Sequence, residues 1–309
     1  MNLLTLKKGF FLVWARRLAT SQSVLCAAML MTACASGSND LVPQKEKLVI
    51  EKFLLIDGAM AYKALTASEY FTTSGASWYT ALLPHPDLRL AGPLLIAPSR
   101  MPLEHKAAIT AEIQRLAKSF PNQQHFSYID SQQTLETLTN HLKSFTYFGD
   151  SKGQPYGLRF ADNRVLSYLP SVLTTSQWDA WTAPMERWQF HDRTGSRQEL
   201  ALNETRRKHA GAPQRLAVSQ EQINQLIHAG EADALLAKLN LEPEAVTATD
   251  AQKNYDVAQQ CVAKWQASGS TDRSALLIFG RKVFASDGAV LGDPARVQQL
   301  LRSAIAAVQ

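Results

Sequence analysis

Cysteine is scarce in this chain: there are three in 309 residues, and Cys26 and Cys34 both fall within the first forty. Cys261 is left alone in the body with no internal disulfide partner, so the fold must rest on its core rather than on cross-links. Long apolar runs are also missing. The two near the start, Phe10 to Ala15 and Val24 to Ala33, are shorter than the roughly 20 residues a helix needs to cross a bilayer, which excludes a multi-span membrane protein. No segment repeats and none is of low complexity, which removes solenoid and fibrous architectures.

Charge of one sign is sparse where it would matter. The formal charge is +5, but Lys7, Lys8, Arg16 and Arg17 against Asp40 place +3 of it in residues 1–40. The remaining 269 residues carry only +2. A body so close to neutral has no basic surface imposed by its composition, and nucleic acid is not an implied partner. Catalytic signatures are missing as well. Gly75-Ala76-Ser77-Trp78-Tyr79 lacks the second glycine of a nucleophile elbow. No phosphate-cradling or dinucleotide glycine motif occurs. The seven histidines form neither H-x-H nor H-E-x-x-H, and there is no C-x-x-C, so zinc has no local signature. The expectation is a protein without catalysis, cofactor or metal. His141 reads as a core-edge side chain, the His191-Asp192 pair as solvated beside a polar linker, and Cys261 as buried and inert.

What is present is an ordinary globular body: 46% apolar residues, with six Trp, eight Tyr and twelve Phe to fill a core. Residues 1–40 stand apart from it. Two basic pairs, apolar runs and Thr32-Ala33-Cys34-Ala35-Ser36-Gly37 read as a bacterial lipoprotein signal, with Cys34 as the lipidated residue. The competing reading is an upstream-extended start, with Met29 or Met31 as the first translated residue. The first places the protein at the periplasmic side of a membrane; the second leaves it in the cytoplasm with no membrane contact.

From Lys47 the pattern turns globular. Leu48 to Ile56 reads as a buried strand closed by a turn at Asp57-Gly58. Trp78 to Leu83 and Pro93 to Ala97 are further strands. Leu103 to Phe120 is a helix stopped by Pro121, and Phe126 to Ile129 is a strand. A helix capped by Asp130 or Ser131 carries Leu135, Leu138, Leu142 and Phe145 on one face. Phe145 to Phe148 and Tyr156 to Ala161 flank a hairpin turn. Short helices over Arg164 to Leu169, ended by Pro170, and Ser176 to Thr182 lead to a last strand, Glu186 to Phe190. Asp192 to Pro213 reads as a linker. Beyond it Ser219 and Gln222 form a capping box, Tyr255 to Trp265 make a second amphipathic face, and Asp293-Pro294 opens a further helix. The fold class is therefore α/β: a mixed-sheet N-terminal lobe over 41–195, then a linker and mostly helical lobe over 196–309, behind the leader at 1–40.

One stretch carries more information than its composition. Arg159 sits mid-strand between Leu158 and Phe160, where a buried guanidinium needs a carboxylate partner, and Asp162 is close in sequence. Asp162 also stands where it can cap the helix beginning near Arg164. The order Phe53-Leu54-Leu55-Ile56-Asp57-Gly58, then Ala91-Gly92-Pro93-Leu94, then His141-Leu142 continues into Leu158-Arg159-Phe160-x-Asp162-x-Arg164-Val165-Leu166. It ends with Leu169-Pro170 and Pro184-x-Glu186-Arg187-Trp188. Over about residues 53–192 this resembles the adaptor, or effector chaperone, family of bacterial type VI secretion systems. Ala161 and Asn163 depart from that pattern, where an aromatic and a proline are common. The resemblance implies binding without turnover in the cytoplasm: a type VI effector is held and presented to the VgrG spike. It also singles out Arg159, Asp162, Arg164, Arg187 and Trp188, either as partner contacts or as residues that pin a strand-to-helix corner.

Overall fold

The structure is a computed structural model that describes residues 49–73, 75–120, 122–150, 154–204, 216–241 and 247–308. The leader with Cys34, Pro121, part of the hairpin turn and residues 205–215 lie outside the described residues.

Strand β1 (Glu51–Asp57) is the apolar run of the sequence, and Phe53, Leu55 and Ile56 are buried on opposite faces. A strand covered on both sides has no polar alternation to show, which is why the run is nearly continuous. It sits inside a six-stranded sheet whose order, from edge to edge, is β2 (Tyr79–Ala81), β3 (Pro93–Ile96), β1, β4 (Phe126–Ser131), β7 (Met185–His191) and β8 (Arg197–Glu199). Leu54 faces Ile96 of β3 on one side and Tyr128 of β4 on the other. Strand β2 pairs with β3, and β7 pairs with β4. Every pairing in this sheet is antiparallel.

One face of the sheet carries α1 (Gly58–Thr66), α2 (Glu69–Thr72) and α3 (Lys106–Ala117), packed through Leu65, Phe71, Ile109, Ile113 and Leu116 onto Ile56, Ile96 and Phe126. The other carries α4 (Leu135–Lys143) and three short helices, α5 (Asn163–Leu166), α6 (Leu169–Val172) and α7 (Thr175–Thr182). There Leu138, Leu142, Phe160 and Trp181 meet Phe53, Leu55, Ile129 and Trp188. A small second sheet joins β5 (Tyr147–Gly149) to β6 (Pro155–Gly157) antiparallel and to β9 (Leu216–Ala217) parallel. Parallel pairing in the described residues is confined to this sheet.

The helical lobe comprises α8 (Gln220–Leu239), α9 (Ala248–Ala267), α10 (Arg273–Phe284) and α11 (Pro294–Ala306). Ser219 and Gln222 form the expected capping box, and Asp293 caps α11 ahead of Pro294. Helix α8 belongs to two cores. Ile223 and Leu226 pack in the sheet lobe, whereas Ala232, Leu235 and Leu236 pack with Ala258, Phe279 and Leu301.

Several sequence expectations give way here. Asp57-Gly58 is not a turn; Asp57 caps α1, its Oδ1 accepting from the Met60 amide at 3.0 Å. Asp130 and Ser131 end β4, held there by pairing with Lys52 and Glu51, and Thr134 caps α4 instead. Strand β6 stops at Gly157, so Arg159 lies in an irregular corner rather than mid-strand. Pro170 sits in the first turn of α6, where its missing N–H costs nothing, and opens a helix rather than ending one. The chain beyond His191 is not a linker at first: it turns and forms an edge strand, β8 (Arg197–Glu199), paired to β7, so the sheet runs past residue 195. All three β8 residues are exposed, which is why the strand reads as polar and loop-like. Helix α10 was not anticipated at all.

The passage from β1 into α1 depends on close backbone approach. A Cβ on Gly58 would lie 2.3 Å from the carbonyl oxygens of both Leu90 and Gly92, and the Gly58 amide already donates to Gly92 O at 3.1 Å. These are backbone atoms, so no rotamer relieves the clash. Gly58→Ala is expected to lower stability by about 1–3 kcal/mol or more, read as a shift of the urea midpoint. Gly149→Ala, with no atom within 4 Å of the added carbon, should leave the midpoint nearly unchanged.

Candidate functional site

Folding draws three aspartates and three arginines, far apart in sequence, into one line. Asp57, at the end of β1, caps α1 with Oδ1 and accepts from Arg159 Nη2 at 2.9 Å with Oδ2. Arg159 also lies 3.4 Å from Asp162 Oδ2. Asp162 is fully buried and caps α5, accepting from the Arg164 amide at 3.1 Å. The same carboxylate accepts from Arg164 Nε at 2.9 Å and Nη2 at 2.7 Å. Arg164 Nη1 reaches Asp233 Oδ1 of α8 at 3.9 Å. Asp233 in turn is gripped by both terminal nitrogens of Arg193, at 2.7 and 2.6 Å. The Arg193 guanidinium lies over the Tyr255 ring of α9, 3.5 Å from its centroid.

The line therefore runs from the central strand through the corner to the helical lobe, with cations and anions alternating and equal in number. Burial alone would push the Asp162 carboxyl up; the charges of Arg164 and Arg159 outweigh it and hold the group well below the usual carboxylate range. The carboxylate oxygens of Asp162 and Asp233 point at guanidinium groups, which leaves them no role as cation ligands. Among the described residues, no three His, Cys, Asp or Glu side chains come together as metal ligands. No helix among them is long and apolar enough to cross a membrane.

Of the five residues singled out by the sequence, three come together: Arg159, Asp162 and Arg164. Arg187 does not join them. It donates to Asp130 Oδ2 at 2.7 and 3.0 Å on the exposed side of the sheet. Trp188 lies in the core, its indole N–H donating to Ser127 Oγ at 3.0 Å and its ring edge-on to Trp181. The sequence reading missed Asp57, Arg193, Asp233 and Tyr255 as members of the line. Asp233 carried a usable signal: it is seven residues after Leu226 and three before Leu236, on the apolar stripe of α8, where a charge must be paired. His141 and Asp192 are taken up locally. His141 Nε2 contacts Trp181 O at 2.7 Å. Asp192 is occupied by its own turn, accepting from the amides of Thr194 and Ser196.

Beside the line opens a cleft of about 240 Å³, walled by the corner, the β7–β8 turn and α9. Arg164 and Arg193 face it, as do the buried amide side chains of Gln124 and Asn163.

Residues 52–180 match the family described as "Domain of unknown function (DUF4123)". The matched stretch starts within β1, ends within α7, and holds Asp57, Arg159, Asp162 and Arg164. Arg187, Trp188, Arg193 and Asp233 lie beyond it. No curated protein and no solved structure matches the chain.

Two outcomes follow for the corner. Asp162→Asn can still cap α5 but removes the anion that Arg164 contacts most closely, at 2.7 Å, while Arg159 keeps Asp57; it should cost about 3–5 kcal/mol in a denaturant titration. Arg187→Ala, which breaks a solvent-facing pair, should cost under about 1 kcal/mol. For pH, the informative group is His125, which is fully buried and donates from Nε2 to Leu116 O at 2.9 Å. Burial pushes its imidazole down to about 4 from an ordinary 6.5, against the raising effect of that hydrogen bond. Between those values the unfolded chain binds the proton and the folded chain does not, so stability falls as pH drops through that window. Calorimetry should show Tm declining from pH 6.5 toward 4, and His125→Gln should flatten the decline.

Proposed function

We propose that this protein is a cytoplasmic, non-catalytic adaptor that binds a type VI secretion effector and promotes its loading onto the VgrG spike. The observation that carries the reading is the DUF4123 match over residues 52–180, a family associated with type VI effector adaptors. The motif order that suggested the same family lies largely within that stretch.

The geometry is compatible with such a role. An adaptor needs a body that keeps its shape while a partner docks and leaves, and here one helix is packed into two cores beside a paired charge line. Arg159, Asp162 and Arg164 serve that rigidity in this reading: Asp162 and Arg164 are buried and their four guanidinium–carboxylate contacts are internal. Effector and spike then meet other, solvent-facing surfaces.

The deciding experiment is purification of the C-terminally tagged protein from its native host, followed by mass spectrometry of the mature N-terminus and of co-purifying chains. Effector or VgrG peptides with an unlipidated start near Met29 or Met31 are the expected result. A chain that begins at lipidated Cys34 and brings down neither partner would overturn the adaptor reading in favour of an envelope lipoprotein.

A further inference from the structure

The solvent face of a helix normally mixes charges of both signs. Helices α10 and α11 do not. Between them they carry Arg273, Arg281, Lys282, Arg296 and Arg302, and neither holds an aspartate or a glutamate. Arg273 is accounted for, its Nε donating to Glu231 Oε1 at 3.0 Å. The other four are exposed, and among the described residues none of them has a carboxylate partner. The acids that flank the two helices in sequence are engaged elsewhere. Asp272 caps α10, Asp287 pairs with Lys253, and Asp293 caps α11 by accepting from the Arg296 amide at 3.1 Å.

Helix energetics account for only part of this. Arg281 and Lys282 stand in the last turn of α10, where cations suit the helix dipole. Arg296 stands in the first turn of α11, three residues after the cap. A glutamate there would complete a capping box, whereas an arginine opposes the dipole. The charge at 296 is not there for the helix.

The cations project from adjacent faces. Helices α10 and α11 lie side by side, with Lys282 Nζ donating to Ser303 Oγ at 3.4 Å, and both turn their buried side chains, Phe279, Val283, Val297 and Leu301, into the lobe. Half-buried apolar side chains stand among the charges. Leu277 and Ile278 lie one turn before Arg281 and Lys282, and Leu300 lies one turn after Arg296. Such a surface complements an acidic amphipathic helix, whose apolar stripe meets the half-buried residues while its carboxylates reach the cations. Arginine at 281, 296 and 302 offers the planar fork that suits a carboxylate. A lipid surface fits less well, because the large exposed apolar side chains are Val49, Ile50 and Leu103, none of them on these helices. Nucleic acid also fits less well: the aromatics of the two helices, Phe279 and Phe284, are buried and half-buried and offer bases no stacking platform.

We propose that the outer face of α10 and α11 docks an acidic amphipathic helix of a partner protein, with Arg281, Lys282, Arg296 and Arg302 as its carboxylate contacts. The face lies beyond the family match over residues 52–180, and the proposal goes beyond the adaptor reading without depending on it.

The test is fluorescence anisotropy of a labelled, helix-forming peptide of Glu, Leu and Ala, with its leucines at helical spacing, titrated with the intact protein. The same peptide with every Glu replaced by Gln is the uncharged control. The acidic peptide should bind saturably and about tenfold or more tighter than the control. That difference should collapse between about 0.1 and about 1 M NaCl, as the Debye length falls from about 10 to about 3 Å. Arg281→Gln with Lys282→Gln, and separately Arg296→Gln with Arg302→Gln, should each weaken binding about fivefold while leaving Tm nearly unchanged, since all four positions are exposed. Lys106→Gln with Lys118→Gln, at the two ends of α3, should leave binding as it was. The proposal is overturned by no saturable binding, by equal binding of the two peptides, or by an equal loss in the α3 variant. Tighter binding of a short DNA duplex or of phosphatidylglycerol vesicles would overturn it as well. Because the readout needs no effector or spike protein, its failure is separable from failure of the co-purification experiment.

Discussion

Asp162 is the group on which this architecture turns. It is fully buried, two arginines lean on it, and it closes the first turn of α5 with the same carboxylate. A charge placed there without partners would be expelled by its own desolvation cost. Its presence therefore dictates where Arg159 and Arg164 must be, and through them where Asp57 and Asp233 must be. The corner is irregular in backbone but tightly determined in electrostatics.

Buried ion pairs are weak evidence of net stability, since hydrophobic replacements often do as well. What this line supplies is relative placement. Asp57 belongs to the central strand, Asp162 to the corner, Arg193 to a β-turn and Asp233 to a helix of the other lobe. Each pair admits few geometries, and the bidentate grip of Arg193 on Asp233 admits fewest. Apolar contacts on both sides of α8 hold the lobes together, and the charges fix the register in which they are held.

Much of this was legible in the sequence because apolar period and cap chemistry are local. The continuous run of β1, the Ser219 capping box and Asp293-Pro294 each announce an element without outside help. The resemblance also pointed to Arg159, Asp162 and Arg164, and the need of a buried Arg for a carboxylate was met. What escaped was non-local or masked by polarity. Asp57's second role depends on Arg159, 102 residues away. Strand β8 has no buried residue to betray it. The strand pairing of Ser131 overrode its value as a helix cap, and Trp188, grouped with the arginines by sequence proximity, alternates to the opposite side of its strand from Arg187.

The sharing of α8 between two cores has a consequence for synthesis. Gln222 of α8 donates to Val172 O at 2.9 Å, and Gln177 of α7 to Ala217 O at 2.6 Å, so the sheet lobe is sewn to chain that follows it. As the polypeptide leaves the ribosome, Val172, Leu173 and their neighbours emerge well before Ile223 and Leu226 arrive to complete the cluster they share. Folding in N-to-C order cannot finish the first lobe before the second has begun. The nascent chain carries an open apolar seam until α8 emerges, and Asp233 then arrives on the same helix that closes it.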